Sequence, residues 1–208
     1  MQYKHFPEVN AFVIRNLFSE EECALIMQEQ IELMPRYQLP QNTGTAVNKK
    51  HLPIKQNIGL FLHQSRQFNT VNITKKILDV NFISTLSSEN ALYEKLKKSL
   101  IANTLISYYR NGDYYAPHVD GGTSPQAQNK FQFTVTHYII KEPKQFTGGE
   151  LSLFYKDDSV KNVEIEIENN MTVIFPSKTP HKVNKVSINE KTLSGNSRFC
   201  ITNFIHEK

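Results

Sequence analysis

FQFTVTHYII, residues 131–140, decides the fold. Its odd positions Phe131, Phe133, Val135 and Ile139 are apolar, with His137 the exception, while its even positions are Gln132, Thr134, Thr136 and Tyr138. Side chains alternate across a strand, so a period of two predicts a β-strand with one apolar and one polar file. Outward from it, segments 104–109, 150–155, 162–167, 171–175, 181–186 and 198–205 are also rich in Val, Ile, Phe, Tyr and Thr. Turn signals part them, among them Asn111-Gly112-Asp113, Gly148-Gly149, Asp157-Asp158, Asn169-Asn170 and Ser194-Gly195-Asn196. Many short strands at this spacing predict a sandwich or barrel.

The first half mixes helix and strand. Ala11 to Ile14 reads as a short strand. Ser19-Glu20-Glu21-Glu22 fits a capping box, opening a helix to about Met34 with Leu25, Ile26, Ile31 and Leu33 on or near its buried side. Residues 36–55 are polar and turn-rich and read as a long loop, followed by a strand over Asn57 to Leu62. Leu92, Leu96 and Leu100 recur every fourth residue, which predicts a helix from Ser88 to Ile101. The expected class is therefore α+β, mainly β, in one domain over 1–208. Residues 1–103 form a helix and strand supporting region with substrate loops, and 104–205 the β-rich core.

Composition narrows the partners. The chain has 208 residues, 39% hydrophobic and 21% charged, enough to bury a core without disulfides or structural metal. A net charge of +4 without a basic stripe does not argue for nucleic acid. Lys49-Lys50 reads as loop, and Lys95, Lys97 and Lys98 as a solvated helix face. Cys23 and Cys200 lie in apolar patterns far apart, as buried thiols rather than a bridge. No run approaches the ~20 apolar residues of a membrane span. Ala11–Ile14, interrupted by Arg15, is too short for the apolar stretch of a signal peptide. A cytoplasmic, reducing setting is expected, and the oligomeric state stays open.

His118-Val-Asp120 carries the chemistry. On a strand, residues two apart point to one side, so an imidazole and a carboxylate can converge. The surrounding pattern Tyr109-x-x-Gly112-x-x-Tyr115-x-x-His118-x-Asp120 resembles the signature of the prolyl-4-hydroxylase-like branch of the Fe(II)/2-oxoglutarate-dependent dioxygenases. Later elements match in order: Tyr138-Ile-Ile, Gly148-Gly149-Glu150-Leu151, Phe175-Pro176 ahead of His181-x-Val183-x-x-Val186, and Arg198 opening an apolar strand. The resemblance covers about residues 104 to 205. It implies a double-stranded β-helix core of jelly-roll, cupin-like form with the N-terminal helices outside it.

The same resemblance implies a metal triad of His118, Asp120 and His181 that leaves coordination sites open, as non-haem Fe(II) oxygenases require. The implied cofactors are Fe(II), 2-oxoglutarate as co-substrate and O2, with ascorbate as a reductant. The implied reaction hydroxylates an aliphatic carbon while 2-oxoglutarate is decarboxylated to succinate and CO2. The substrate class is a prolyl residue of a peptide or protein, or alternatively a free amino acid or other small metabolite. Related halogenases carry a small residue where Asp120 stands, so halogenation is not expected. AlkB-like demethylases resemble Arg-x5-Arg after the distal histidine, whereas Phe204 stands six beyond Arg198 here. A non-catalytic metal-binding barrel would be expected to lose one of these residues.

The far carboxylate of 2-oxoglutarate calls for a cation inside the barrel, and a guanidinium holds it with two parallel hydrogen bonds. Arg198 is the candidate, with Cys200 and Thr202 on the same side of its strand. The even file of 131–140 suits an inward face, where Tyr138 could donate to that carboxylate. Tyr109, by resemblance, lies near the metal and the chelating end of the co-substrate. In the family the cation follows the distal histidine by nine or ten residues. Lys191 has that spacing but sits in Asn-Glu-Lys-Thr, so the strand pattern favours Arg198. His5, His51, His63 and His206 read as terminal or loop histidines, and His137 as a satisfied core histidine. Residues 36–55 with 63–72 are a candidate substrate lid.

Overall fold

The computed structural model describes residues 2–39, 54–64, 67–121, 130–188 and 197–208. Strands β1 (Gln2–Phe6) and β2 (Ala11–Arg15) form an N-terminal hairpin that precedes helix α1 (Glu20–Leu33). Strand β3 (Ile58–Leu62), helices α2 (Asn69–Thr74) and α3 (Val80–Glu89), a 3-10 segment (Ala91–Lys98) and strand β4 (Ser99–Tyr109) follow. The chain continues through β5 (Tyr115–His118), β6 (Phe131–Tyr138), β7 (Phe146–Gly148), β8 (Leu151–Tyr155) and β9 (Asp158–Ile165). It closes with β10 (Met171–Pro176), β11 (His181–Val183), β12 (Val186–Ile188) and β13 (Arg198–Glu207).

The strands build a seven-stranded sheet in the order β1-β2-β10-β6-β13-β4-β3, a four-stranded sheet β5-β11-β8-β9, and the pair β12-β7. The large sheet is apolar on both faces, and the period of two explains how. On β10, Met171, Val173 and Phe175 enter the core shared with Leu151, Leu153 and Ile165 of the smaller sheet. Ile174 points the other way, to Phe82, Ile83, Leu86 and Tyr93. On β6, Phe133 and Val135 join this second core, while Tyr138 faces the smaller sheet. Each fully buried side chain of this kind contributes about 1.5–3 kcal/mol relative to exposure. The polar even file of β6 is thereby left facing the gap between the sheets.

The capping box forms as expected. Ser19 Oγ accepts from Glu22 N–H, and the Glu22 carboxylate accepts from Ser19 N–H at 2.9 Å. The helix buries Ile26, Gln30 and Leu33, whereas Leu25 and Ile31 are exposed. This corrects the expected face, and the cause is α2, which the sequence did not announce. Glu29 on α1 accepts from Asn69 N–H and Thr70 N–H, both at 2.8 Å, and so fixes α2 against α1. Val71 is buried there, so 69–74 is a packed helix.

The helix expected over 88–101 is a second correction. Asp79 caps α3 by accepting from Asn81 N–H and Phe82 N–H, and that helix ends at Glu89. Asn90 is extended, its side chain caps Leu92 N–H, and a 3-10 segment runs to Lys98. Leu96 is buried, but Leu100 lies exposed on β4. His5 and His206 sit on strands β1 and β13 rather than in loops. Most of loop 36–55, together with Lys49-Lys50, His51, Lys191 and the turn 194–196, lies outside the described residues. Among the described residues no helix is long and apolar enough to cross a membrane.

Candidate metal and co-substrate site

His118 and His181 are direct cross-strand partners of β5 and β11, with ring centroids 4.1 Å apart. Asp120 follows the end of β5, where its N–H donates to Ser177 O at 3.1 Å. His118 Nε2 lies 3.7 Å from Asp120 Oδ1, and His181 Nε2 lies 3.5 Å from Asp120 Oδ2. These separations are too long for good hydrogen bonds. Donor atoms of the three residues all lie within 4.8 Å of one another, so together they could hold one metal ion.

The tautomers follow from the other ring nitrogens. His118 Nδ1 faces Ala116 O and His181 Nδ1 faces Thr179 O, each at 2.9 Å. A carbonyl only accepts, so each Nδ1 carries the proton and each Nε2 presents a lone pair to the shared gap. Burial, reinforced by His181, pushes the His118 pKa well below the ordinary histidine value and keeps the ring neutral. Asp120 is held from behind. Thr134 Oγ1 donates to its Oδ2 at 2.7 Å, and Ser177 Oγ lies 3.1 Å from that hydroxyl. A hydroxyl has one proton, so with Thr134 donating to the carboxylate, Ser177 donates to Thr134.

Deeper in the same cavity stands Arg198, fully buried and opposite Tyr109 in the β13–β4 register. Its Nε donates to Gly149 O at 2.7 Å, and its Nη2 lies 3.4 Å from the Tyr138 hydroxyl. The guanidinium carbon sits 4.4 Å from the Tyr109 ring centroid and 5.0 Å from that of Tyr138. Nη1 is buried without a hydrogen-bond partner, and among the described residues no carboxylate pairs with this charge. The Gly148-Gly149 turn makes the approach possible. Both residues have positive φ, and a Cβ on Gly149 would meet Arg198 Cδ at 2.7 Å. All six residues expected from the sequence, Tyr109, His118, Asp120, Tyr138, His181 and Arg198, line this one cavity.

A model of the 2OG-Fe(II) oxygenase superfamily matches residues 104–206. Over those residues, just under half of its length, the chain is similar to that superfamily. A PKHD-type hydroxylase of Synechocystis sp., itself described as uncharacterized, is 27% identical over 207 residues. The match covers 94% of this chain but 62% of that relative's length. Among solved structures, a prolyl-4-hydroxylase from Pseudomonas putida superposes with a TM-score of 0.65 at 13% identity, covering 95% of this chain and 92% of that one. A prolyl hydroxylase from Trichoplax adhaerens, solved with a hypoxia inducible factor peptide, gives 0.62 at 17% identity, covering 96% and 84%. At these identities the likeness shows the fold, a double-stranded β-helix. Strands β1, β2 and β3 from the N-terminal part widen its larger sheet.

The match to that superfamily implies Fe(II), 2-oxoglutarate and O2. The residues of this chain fit them: three convergent donors of the right chemistry for iron, and a buried guanidinium with one nitrogen unsatisfied for a carboxylate. Thr136, with an orphan hydroxyl, lines the cavity from the even file of β6. Cys200 and Thr202 line it from β13. His137 lies on the opposite face, where its Nδ1 meets Thr172 Oγ1 at 2.8 Å and its Nε2 meets Asn203 Nδ2 at 3.2 Å. Burial lowers its pKa to about 3, so it is a neutral core histidine. Sequence reasoning missed Lys55 and Asn57, which also line the cavity. Only the pairing of Lys55 with Tyr115 of β5, sixty residues away in sequence, brings this segment there.

Proposed function

We propose that this chain is an Fe(II)- and 2-oxoglutarate-dependent hydroxylase of an aliphatic carbon, with a prolyl residue of a peptide or protein as the first substrate class to test. The observation that carries it is the arrangement within one cavity of three neutral or anionic donors and a buried guanidinium lacking a carboxylate. The PKHD-type hydroxylase and the two prolyl hydroxylases support the substrate class.

In this reading His118, Asp120 and His181 hold the iron, while Arg198 and Tyr138 hold the remote carboxylate of 2-oxoglutarate. When bound, the iron and 2-oxoglutarate supply the oxidising chemistry with O2: decarboxylation to succinate and CO2 is coupled to insertion of one oxygen atom into a substrate C–H bond. The protein positions and shields. Ala116 O and Thr179 O fix the histidine tautomers, and Thr134 fixes the carboxylate. Tyr109 covers one face of the guanidinium, and Leu105, Leu151 and Val183 form apolar wall around the cavity. The reading extends to a single domain in a reducing, cytoplasmic setting. A sheet that draws strands from both halves of the chain supports the first, and two free cysteines support the second.

Anoxic addition of Fe(II) and then 2-oxoglutarate should give the visible metal-to-ligand charge-transfer band of a chelated co-substrate. A folded protein with no band would sink the proposal. Thr134→Val, which keeps the shape and removes the donor to Asp120, should weaken Fe(II) binding by about 10-fold, the lower end for loss of a partner behind a metal ligand. Thr134→Ser should restore most of it, as measured by Fe(II) titration of that band.

A further inference from the structure

The cavity of the triad opens outward. A second space shares Tyr115, His118 and Asp120 with it and is walled by Phe61, Phe131 and Phe204. Phe131 also lines a groove that runs on from this opening. Leu92 and Lys95 come to that groove from the 3-10 segment, Pro176 from the end of β10, and Lys178 from just beyond it. Gln132 of β6 adds a polar amide. Lys95 and Lys178 are both exposed. Among the described residues neither forms an ion pair, and no carboxylate lines the groove. The neighbouring Lys97 differs, because Glu94 neutralises it at 2.6 Å. The next hollow, which shares Lys95 and Gln132, holds Glu94 and Glu207, but Glu94 is taken by Lys97 and Glu207 accepts from Gln132 at 3.3 Å.

The groove lies within reach of a chain whose target sits at the triad. Thr134, whose hydroxyl donates to Asp120, is three residues from Phe131 along β6, about 10 Å at the rise of an extended strand. An extended peptide covers the same span in about three residues. A molecule confined to the inner cavity would never meet Lys95 or Lys178, whereas a peptide leaving the opening past Phe131 meets both. Two cations without a carboxylate between them favour an anionic group there. Nucleic acid is the poorer match. It binds through many phosphates along a basic stripe, while here two lysines stand among Leu92, Phe131 and Pro176 on a chain of net charge +4.

We propose that this groove recognises an acidic side chain of a peptide or protein substrate, three or four residues from the residue that is hydroxylated. Lys95 and Lys178 are the cations that bind its carboxylate, and the aromatic opening takes the apolar chain between. This rests on the hydroxylase reading above and narrows its substrate class to acidic peptide segments.

The test uses the anoxic Fe(II)–2-oxoglutarate protein and end-blocked, alanine-rich peptides with a central proline. Each carries a glutamate three or four positions before or after the proline and is compared with its glutamine twin. Binding is read by calorimetry and by perturbation of the charge-transfer band. At one or more of these positions the glutamate peptide should bind about fivefold tighter than its twin, as two exposed ion pairs allow, and the margin should shrink at high salt. The double variant Lys95→Gln/Lys178→Gln should erase the preference, and Lys95→Glu/Lys178→Glu should transfer it to lysine-bearing peptides. Both residues are exposed, so both variants should still form the band with Fe(II) and 2-oxoglutarate. Twins that bind within about twofold at every position, well short of that allowance, or a preference that survives in the double glutamine variant, overturn the inference. So does a single-stranded thymidine oligonucleotide that binds more tightly than the acidic peptides and depends on the same two lysines. Failure of every peptide to bind overturns it together with the peptide substrate class, while an intact band keeps the hydroxylase reading. A missing band before any probe is added overturns the hydroxylase reading, and the inference falls with it.

Discussion

Arg198→Met is expected to weaken 2-oxoglutarate binding by on the order of a hundredfold or more, because two charge-assisted hydrogen bonds are worth about 1.5–3 kcal/mol each. Methionine fills much of the same volume and removes the charge from a site where no described carboxylate balances it. The variant loses the bond to Gly149 O, at a folding cost of about 1–3 kcal/mol for the stranded carbonyl. The expected kinetic signature is selective. The KM for 2-oxoglutarate rises steeply, and kcat recovers in part at high co-substrate, since the metal donors are untouched. Titration of the charge-transfer band checks the affinity directly. An unchanged midpoint would remove Arg198 from the co-substrate site and turn attention to Lys191, which lies outside the described residues.

Asp120→Ala is expected to have the larger effect on turnover. Loss of a partner behind a metal ligand costs up to about a hundredfold, and loss of the ligand itself should exceed that. Succinate release should fall to background, and the charge-transfer band should vanish at Fe(II) concentrations that saturate the wild type. The fold should survive, because Thr134 and Ser177 remain hydrogen-bonded to each other and Asp120 N–H still reaches Ser177 O. Far-UV circular dichroism and thermal melting would check this. Full Fe(II) binding by the alanine variant would exclude Asp120 as a ligand.

What was legible in the sequence was local and periodic. The alternation of 131–140 identifies both the strand and its inward file, because a period of two leaves no third option for a side chain. Ser19 and Glu22 mark a helix start through bonds that span three residues. Arg198 stood out because an arginine opening an apolar strand must be accommodated inside. The failures came from long-range pairing. Leu25 and Ile31 look buried on a helical wheel until Glu29 ties α1 to a helix forty residues later. Leu92, Leu96 and Leu100 keep a helical spacing, yet Asn90 breaks the chain before them and Leu100 belongs to a strand. Lys55 carried no signal of its own, since nothing near it in sequence announces its pairing with Tyr115.

β13 follows the other described strands in sequence, yet it lies between β6 and β4 near the middle of the larger sheet. Until it inserts, β4 with β3 and β6 with β10 are separate fragments, and each leaves an edge of unpaired backbone groups. Closure therefore waits for contacts between residues about a hundred positions apart, such as Thr104 Oγ1 donating to Asn203 Oδ1 at 2.7 Å. Pairing at that range is slow, in the millisecond-to-second regime of high contact order. Arg198 enters on the same strand that completes the sheet. A newly made chain thus gains its buried guanidinium only as the sheet closes around it, so on the proposed reading the co-substrate anchor is completed last.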